Sequence, residues 1–385
     1  MHLTQLNNEY QLVLYLSKPY LSNEEANELI ALLDTDMDWS IVIGHLELHR
    51  IAGIAWKTIE KYVFTNIKNK CKCNRLYKYL RNSYKVQEIQ VKEQQKYTTR
   101  VCQLFDESKI NYVLLKGLVL THGVYRDNGM RIFNDNDFLV HPDQLQMAVN
   151  LLKSEGYIQG NIRQNRTIEP PSRKELVMHS MVSHEIIPFV MEVEGSSFLQ
   201  HHVIDLHFSA NLMTRQRNTL LVEDLMRKSI EVPMNDVHVK VLDWEDMLLF
   251  LAHHLYKEAT SYRDLLLYKD LLLYKFCDIN FFLSNPDIMQ QVKWGSLIEK
   301  ARERGNEVDL YFTLYHVTVL YGKNAFLEEV MQNLKLDDKS FLDTVYKYDS
   351  TDVLYRYECD ILSRIFDFNR PAQIRPMVNE EFEFV

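Results

Sequence analysis

Apolar positions in the first hundred residues recur at helical spacing. Leu29, Leu32 and Leu33 follow Ser22-Asn23-Glu24-Glu25, whose S-x-x-E spacing is that of a capping box, in which serine and glutamate satisfy each other's free backbone donors. Asp38-Trp39 opens a second amphipathic stretch with Val42, Ile43 and Leu46, and apolar residues return at Ile54 and Ile59 beyond Gly53. A more polar third run, from about Ser83 to Glu107, keeps Val86, Ile89, Tyr97, Val101, Leu104 and Phe105. No strand-like alternation interrupts this region, which predicts an N-terminal helical domain over 1–108.

The texture changes at Ile110. Tyr112-Val113-Leu114-Leu115 is a short apolar run ending at Lys116-Gly117, the pattern of a buried strand meeting a turn. Leu118 to Tyr125 suits a short helix and Arg126-Asp127-Asn128-Gly129 a turn. Phe138-Leu139-Val140 then reads as a second strand with Asp135-Asn136-Asp137 at its start. Gln144 to Glu155 predicts a helix closed by Gly156, and the polar 161–174 stretch with Pro170-Pro171 a loop. Ile186 to Val193 and Val203 to Phe208 are further strand candidates, the second placing Asp205 and His207 on one face. From Asp243, a helix cap, onward the pattern is again helical. The two DLLLYK segments are a local echo, and the acidic end at 380–385 reads as a frayed tail. The expected fold is α+β: a small mixed-sheet domain over 109–240, flanked by the N-terminal helices and a helical region over 241–385.

Composition narrows the function. With 44 basic and 53 acidic side chains among 385 residues, the net charge is −9, which disfavours a nucleic-acid coat or a polybasic membrane binder. The five cysteines are too scattered for a disulfide framework, and Cys71-x-Cys73 lacks the two-residue spacer of zinc and redox motifs. The first twenty residues lack the charge-then-apolar pattern of a secretory leader, and no run of about 18 apolar residues is present. A reducing, cytoplasmic location is the expectation.

The chemistry centres on Asp135-x-Asp137. Residues two apart on a strand point to one side, so both carboxylates can converge on a hard cation, and Asp205 offers a third oxygen ligand. Three converging carboxylates repel one another unless a divalent metal is present, and Mg²⁺ suits such a site together with substrate phosphates. Alone, D-x-D reads first as a polar strand entrance or a turn, and only its context favours metal binding. The histidines between His179 and His207 fit no zinc spacing. His207 suits a structural hydrogen bond before a substrate contact, and His253-His254 a satisfied pair in an apolar helix.

Leu114-Leu115-Lys116-Gly117, Arg131, Asp135-Asn136-Asp137-Phe138-Leu139-Val140, Glu155-Gly156-Tyr157 and Val203-Ile204-Asp205-Leu206-His207-Phe208 together resemble the uncharacterised nucleotidyltransferase family of the polymerase-β-like superfamily. The resemblance extends to the Asp38-Trp39 helix, His49-Arg50-Ile51, His254 and Asp278. Two departures stand out: Leu118 where a small residue usually follows the glycine, and Asn136 where the superfamily places an apolar side chain.

What the resemblance implies is a transferase of phosphorus-containing groups. It would move a nucleoside monophosphate, AMP from ATP, onto an acceptor hydroxyl with Mg²⁺ or Mn²⁺ as cofactor. Asp135, Asp137 and Asp205 would be the catalytic, metal-binding acids, with Asp205 the alternative proton acceptor. Lys116, Gly117 and Arg131 would bind the nucleotide, Arg131 either on phosphate or bracing Asp135, and His207 would touch substrate. The implied partners are a nucleotide and an acceptor that is a small molecule, peptide or protein, with nucleic acid and membrane disfavoured. Two other readings remain: a non-catalytic module of this fold that binds a peptide or protein, and a D-x-D glycosyltransferase, which the helical first hundred residues oppose.

Overall fold

A capping box starts one of the first helices as its sequence predicts: the Ser22 hydroxyl accepts the Glu25 amide at 3.1 Å and the Glu25 carboxylate accepts the Ser22 amide at 2.8 Å. The computed structural model describes residues 6–64, 74–234 and 236–377, so the Cys71/Cys73 pair and the acidic 380–385 tail lie outside the described residues. The chain opens with α1 (Asn8–Leu16), α2 (Asn23–Leu33), α3 (Trp39–Leu48) and α4 (Ala52–Tyr62), followed by the 34-residue α5 (Asn74–Glu107). Arg50, with φ of 56°, breaks the second amphipathic stretch into α3 and α4. The third run begins at Asn74, earlier than its apolar stripe suggests.

The centre is a seven-stranded mixed sheet. Its strands are β1 (Tyr112–Leu114), β2 (Asn136–Val140), β3 (Ile158–Gln159), β6 (Phe189–Glu192), β7 (His201–His207), β8 (Ile230–Met234) and β9 (Val237–Val241), in the order β3-β6-β7-β2-β1-β9-β8. A separate hairpin, β4 (Asn161–Ile162) and β5 (Ile168–Glu169), occupies the stretch expected to be a plain loop. A π-helical turn (Leu120–Tyr125), α6 (Leu145–Ser154), α7 (Arg173–Val182) and α8 (Thr219–Lys228) connect the strands. β2 pairs antiparallel with β1 and parallel with β7, which gives the sheet its mixed character.

Alternation along β2 divides the work of its two faces. Phe138 faces α5, packed with Phe105 and Tyr112 at ring separations of 5.5 and 5.8 Å. Asn136 shares that buried face, where the Thr98 hydroxyl donates to its Oδ1 (2.8 Å) and its own amide donates to Gln94 Oε1 (2.9 Å). His202 Nε2 lies 3.0 Å from the same hydroxyl, and Tyr157 completes the chain on His202 Nδ1 at 2.8 Å. The polar residue between the two acids therefore has partners supplied by α5 and β7. Asp137 takes the opposite face.

That face is closed by α9 (Trp244–Ala259), α10 (Tyr262–Leu266) and α11 (Leu273–Leu283), with α12 (Pro286–Met289), α13 (Trp294–Arg304), α14 (Glu307–Tyr321) and α15 (Ala325–Asn333) behind. Asp243 caps α9 by accepting the Asp246 amide at 2.8 Å. The last hundred residues are not helical throughout: a three-stranded sheet, β10 (Thr344–Tyr346), β11 (Val353–Tyr357) and β12 (Ile374–Pro376), intervenes around α16 (Ile361–Phe366). One buried apolar cluster runs from α1 through the sheet to α14 and α16. Among the described residues no helix is long and apolar enough to cross a membrane.

Candidate active site

The β1 turn and the β2 entrance meet through Gly117. Its φ is +56°, and a Cβ there would lie 3.2 Å from Phe133 Cδ2 and 3.4 Å from the Asp135 carbonyl oxygen. Only glycine takes this left-handed conformation freely while nesting against the segment that carries Asp135. The parallel register of β2 and β7 sets Asp137 directly opposite Asp205, so neighbouring strands present both carboxylates on the same face. Asp135 precedes β2 by one residue.

The charges around these acids are unequal. Lys116 Nζ lies 3.1 Å from Asp137 Oδ1, and His207 Nε2 lies 3.0 Å from the same oxygen. Burial works to raise the Asp137 pKa, but Lys116 and His207 outweigh it and hold the carboxyl well below the ordinary carboxylate range. Burial likewise works against the Lys116 charge, and the carboxylates of Asp137, Asp135 and Glu258 overcome it, so the ammonium persists. Asp135 is pushed up by burial and by Asp137, with only partial relief from Lys116 and Arg131. Asp205 is pushed up furthest, by burial and then by Asp135, Glu185 and Asp137.

Asp205 Oδ1 is also buried without a hydrogen-bond partner. An orphaned carboxylate oxygen beside two further acids is the donor set a hard divalent cation fits. The three aspartates are nonetheless not the tightest cluster. Among the described residues, the one trio of histidine, cysteine, aspartate or glutamate whose donor atoms all lie within 4.8 Å of one another is His184, Glu185 and His207.

A cleft of about 320 Å³ opens in front of Lys116, Gly117, Asp135 and Asp137. Its wall brings in Arg50, from the His49-Arg50-Ile51 segment, and three residues that the sequence alone did not single out: Glu258, Tyr274 and Lys275. Tyr274 lies between two guanidiniums, with Arg50 Cζ 5.5 Å and Arg131 Cζ 5.9 Å from its ring centre. Lys275 Nζ pairs with Glu258 Oε2 at 2.5 Å. The signal that marks them is a tyrosine and a lysine inside the second DLLLYK echo, otherwise legible only as core. Asp205 and His207 are not among the cleft's lining residues.

Two expectations change. Arg131 does not hydrogen-bond Asp135; its fork closes on Asp278 of α11, Nε to Oδ1 at 2.8 Å and Nη2 to Oδ2 at 2.9 Å, while the Tyr125 hydroxyl donates to Oδ1 at 2.8 Å. Arg131 acts on Asp135 only through space, and its buried Nη1 has no partner and belongs to a residue lining the cleft. His253 is the satisfied core histidine expected, on Asp309 at 2.6 Å and the Leu212 amide at 3.2 Å. His254 is not: its Nδ1 faces Glu258 Oε2 at 3.2 Å and its Nε2 faces Lys116 Nζ at 3.1 Å.

The family model described as an uncharacterised nucleotidyltransferase matches residues 35–322, the stretch that holds every residue of this site. The chain belongs to that family. Within it, the mixed sheet with helical flanks is the nucleotidyltransferase-like fold, and the matched stretch runs from the end of α2 through α14. No curated protein matches the chain. Among solved structures, an antigenic nucleotidyltransferase-like protein from Paracoccidioides brasiliensis is 14% identical, covering 63% of this chain and 99% of its own, with a TM-score of 0.34.

Proposed function

We propose that this family member is a metal-dependent nucleotidyltransferase that moves AMP from ATP onto an acceptor hydroxyl. The observation that carries the reading is the Asp205 carboxylate, facing Asp137 across the strand pair with one buried oxygen unpaired. Asp135, Asp137 and Asp205 would hold Mg²⁺ or Mn²⁺, which when bound supplies positive charge to neutralise the triphosphate and the departing pyrophosphate.

The remaining roles belong to the chain. The Gly117 turn, lacking a Cβ, lets its backbone approach phosphate closely. Lys116 brings a compact ammonium to the same place, and Arg131 offers its unpaired Nη1 from a guanidinium already fixed by Asp278. In the transfer, the acceptor oxygen bonds to the α-phosphorus, the bond from that phosphorus to the bridging oxygen breaks, and pyrophosphate leaves. The acceptor proton goes to a carboxylate, for which Asp205, whose Oδ1 has no other partner, is the suited group.

The test is an intact-mass screen of small-molecule, peptide and protein acceptors with each NTP and Mg²⁺, run beside a pyrophosphate assay. The wild type is expected to give a nucleotide-sized mass gain and stoichiometric pyrophosphate, and Asp137→Ala to lose at least about 100-fold in rate. Unchanged transfer by Asp137→Ala overturns the site assignment. ATP and Mg²⁺ binding without transfer to any acceptor favours the scaffold reading, in which the fold binds a protein or peptide partner.

A further inference from the structure

Spacing along the chain argues against a histidine metal site, but the fold assembles one. His184 and Glu185 follow α7, and Glu185 forms an antiparallel bridge with His207 of β7. The join is locked on both sides: the Phe208 amide donates to the His184 carbonyl at 3.0 Å and the Ile186 amide to the Leu206 carbonyl at 3.0 Å. The Arg217 guanidinium donates to the Ser183 carbonyl just before it. Two backbone segments twenty-two residues apart in sequence are thereby held in one register (207 − 185 = 22).

The side chains converge as the backbone does. Glu185 Oε2 lies 3.2 Å from His207 Nε2 and 3.7 Å from His184 Nε2, and each residue of the trio offers a donor atom within 4.8 Å of the other two. Donors 3.2 and 3.7 Å apart fit on one cation with bonds of about 2.0–2.2 Å. His207 is 1% exposed, while His184 and Glu185 are partly exposed, so the cluster is rigid behind and reachable in front. A second observation points to a cation: the single His207 Nε2 stands within 3.2 Å of two carboxylates, Glu185 and Asp137, although one N–H can donate well to only one of them. A bound ion would take the Nε2 lone pair and the Glu185 oxygen together, its charge standing in for the His207 contact on Asp137.

We propose that His184, Glu185 and His207 form a binding site for a divalent transition-metal ion of the zinc class, separate from the aspartate set. Two imidazole nitrogens and one carboxylate select a borderline ion such as Zn²⁺ or Co²⁺ over Mg²⁺, which requires oxygen donors. Three protein ligands leave a position open to water or substrate. The site stands independently of nucleotide transfer. It shares no residue with Asp135, Asp137 and Asp205, but through His207 it adjoins Asp137.

The test uses the full chain, stripped of metal and titrated with Co²⁺ as a spectroscopic probe and with Zn²⁺ against a chromophoric chelator. One equivalent of Co²⁺ with visible d–d bands is expected. His184→Ala and Glu185→Ala, both checked for an unchanged melting transition, should each weaken binding at least tenfold. Asp135→Asn and Asp205→Asn should retain it, which separates this site from the aspartate set. Absence of stoichiometric binding by the wild type, or binding that survives His184→Ala and Glu185→Ala, or binding lost equally in Asp135→Asn and Asp205→Asn, overturns the proposal.

Discussion

At the scale of single residues, the site rests on Gly117 and on the Arg131–Asp278 pair. Gly117 combines a φ of +56° with a close approach to Phe133 and the Asp135 carbonyl, so Gly117→Ala adds both backbone strain and a contact at 3.2 Å. The strain alone costs about 1–2 kcal/mol. Urea melts should show a loss of that size, and any nucleotide affinity should fall further, because the turn must move away from the phosphates. An unchanged melt would mean the turn relaxes without consequence. Arg131 and Asp278 present the opposite problem, a buried charge pair with ideal fork geometry. Asp278→Leu leaves the Arg131 guanidinium buried and unpaired, at a cost of about 3–5 kcal/mol, whereas the double change with Arg131→Met should cost much less. A loss in the double variant equal to the sum of the two single losses would show that the residues contribute independently.

At the scale of elements, the long helix α5 meets β2 through polar contacts as well as the Phe105–Phe138 packing. Thr98 donates to Asn136 and adjoins His202, so Thr98→Val keeps the shape but strips a partner from a buried amide. A loss of about 1–3 kcal/mol in a denaturant melt is the expected result, and a neutral outcome would show that water or a rotated amide replaces the hydroxyl. This same layer explains what the sequence disclosed. The caps at Ser22 and Asp243, the strand at 136–140 and the third acid at Asp205 depend on periods of a few residues, and all are readable from the chain. The hairpin of β8 and β9 alternates just as clearly, Ile230, Val232, Met234 and Val237, Val239, Val241, but Pro233 disguises it. Proline is tolerated there because β8 is the edge of the sheet. What no local period reveals is which helix docks where. Tyr274, Lys275 and His254 look like core in the sequence, and only the seating of α9 and α11 over the sheet turns them to the cleft. Likewise Arg131 neighbours Asp135 in sequence, yet its fork goes to a residue 147 positions on.

At the scale of the whole molecule, four buried histidines, His202 in the sheet and the others among the helices, make stability depend on pH. His45, His49, His202 and His316 are each no more than 2% exposed. Burial lowers His45 to about 4, with the nearby Arg370 charge adding to it, and lowers His202 and His316 to about 3. Burial, His45 and Arg370 together hold His49 well below its ordinary value. Since the unfolded chain takes up these protons near pH 6.5 and the folded chain only at lower pH, the contribution is intact above about 6.5 and is lost as pH falls toward 4 and 3. Each histidine adds a slope of up to about 1.4 kcal/mol per pH unit in that window. His49 gives the effect a direction in space. Its Nδ1 accepts the Leu273 amide at 3.2 Å, at the start of α11, where the preceding Leu272 has no side-chain cap to offer. Protonation would destroy that acceptor and loosen the helix that carries Lys275 and Asp278, so acid should open the cleft wall before the sheet melts. Hydrogen exchange at pH 7.5 and 5.5 is expected to show α11 amides losing protection first, with urea stability falling over the same interval. His49→Asn, which keeps an acceptor and cannot be protonated, should flatten part of that slope. A urea stability constant from pH 7.5 to 5 would show that these imidazoles bind protons as readily folded as unfolded.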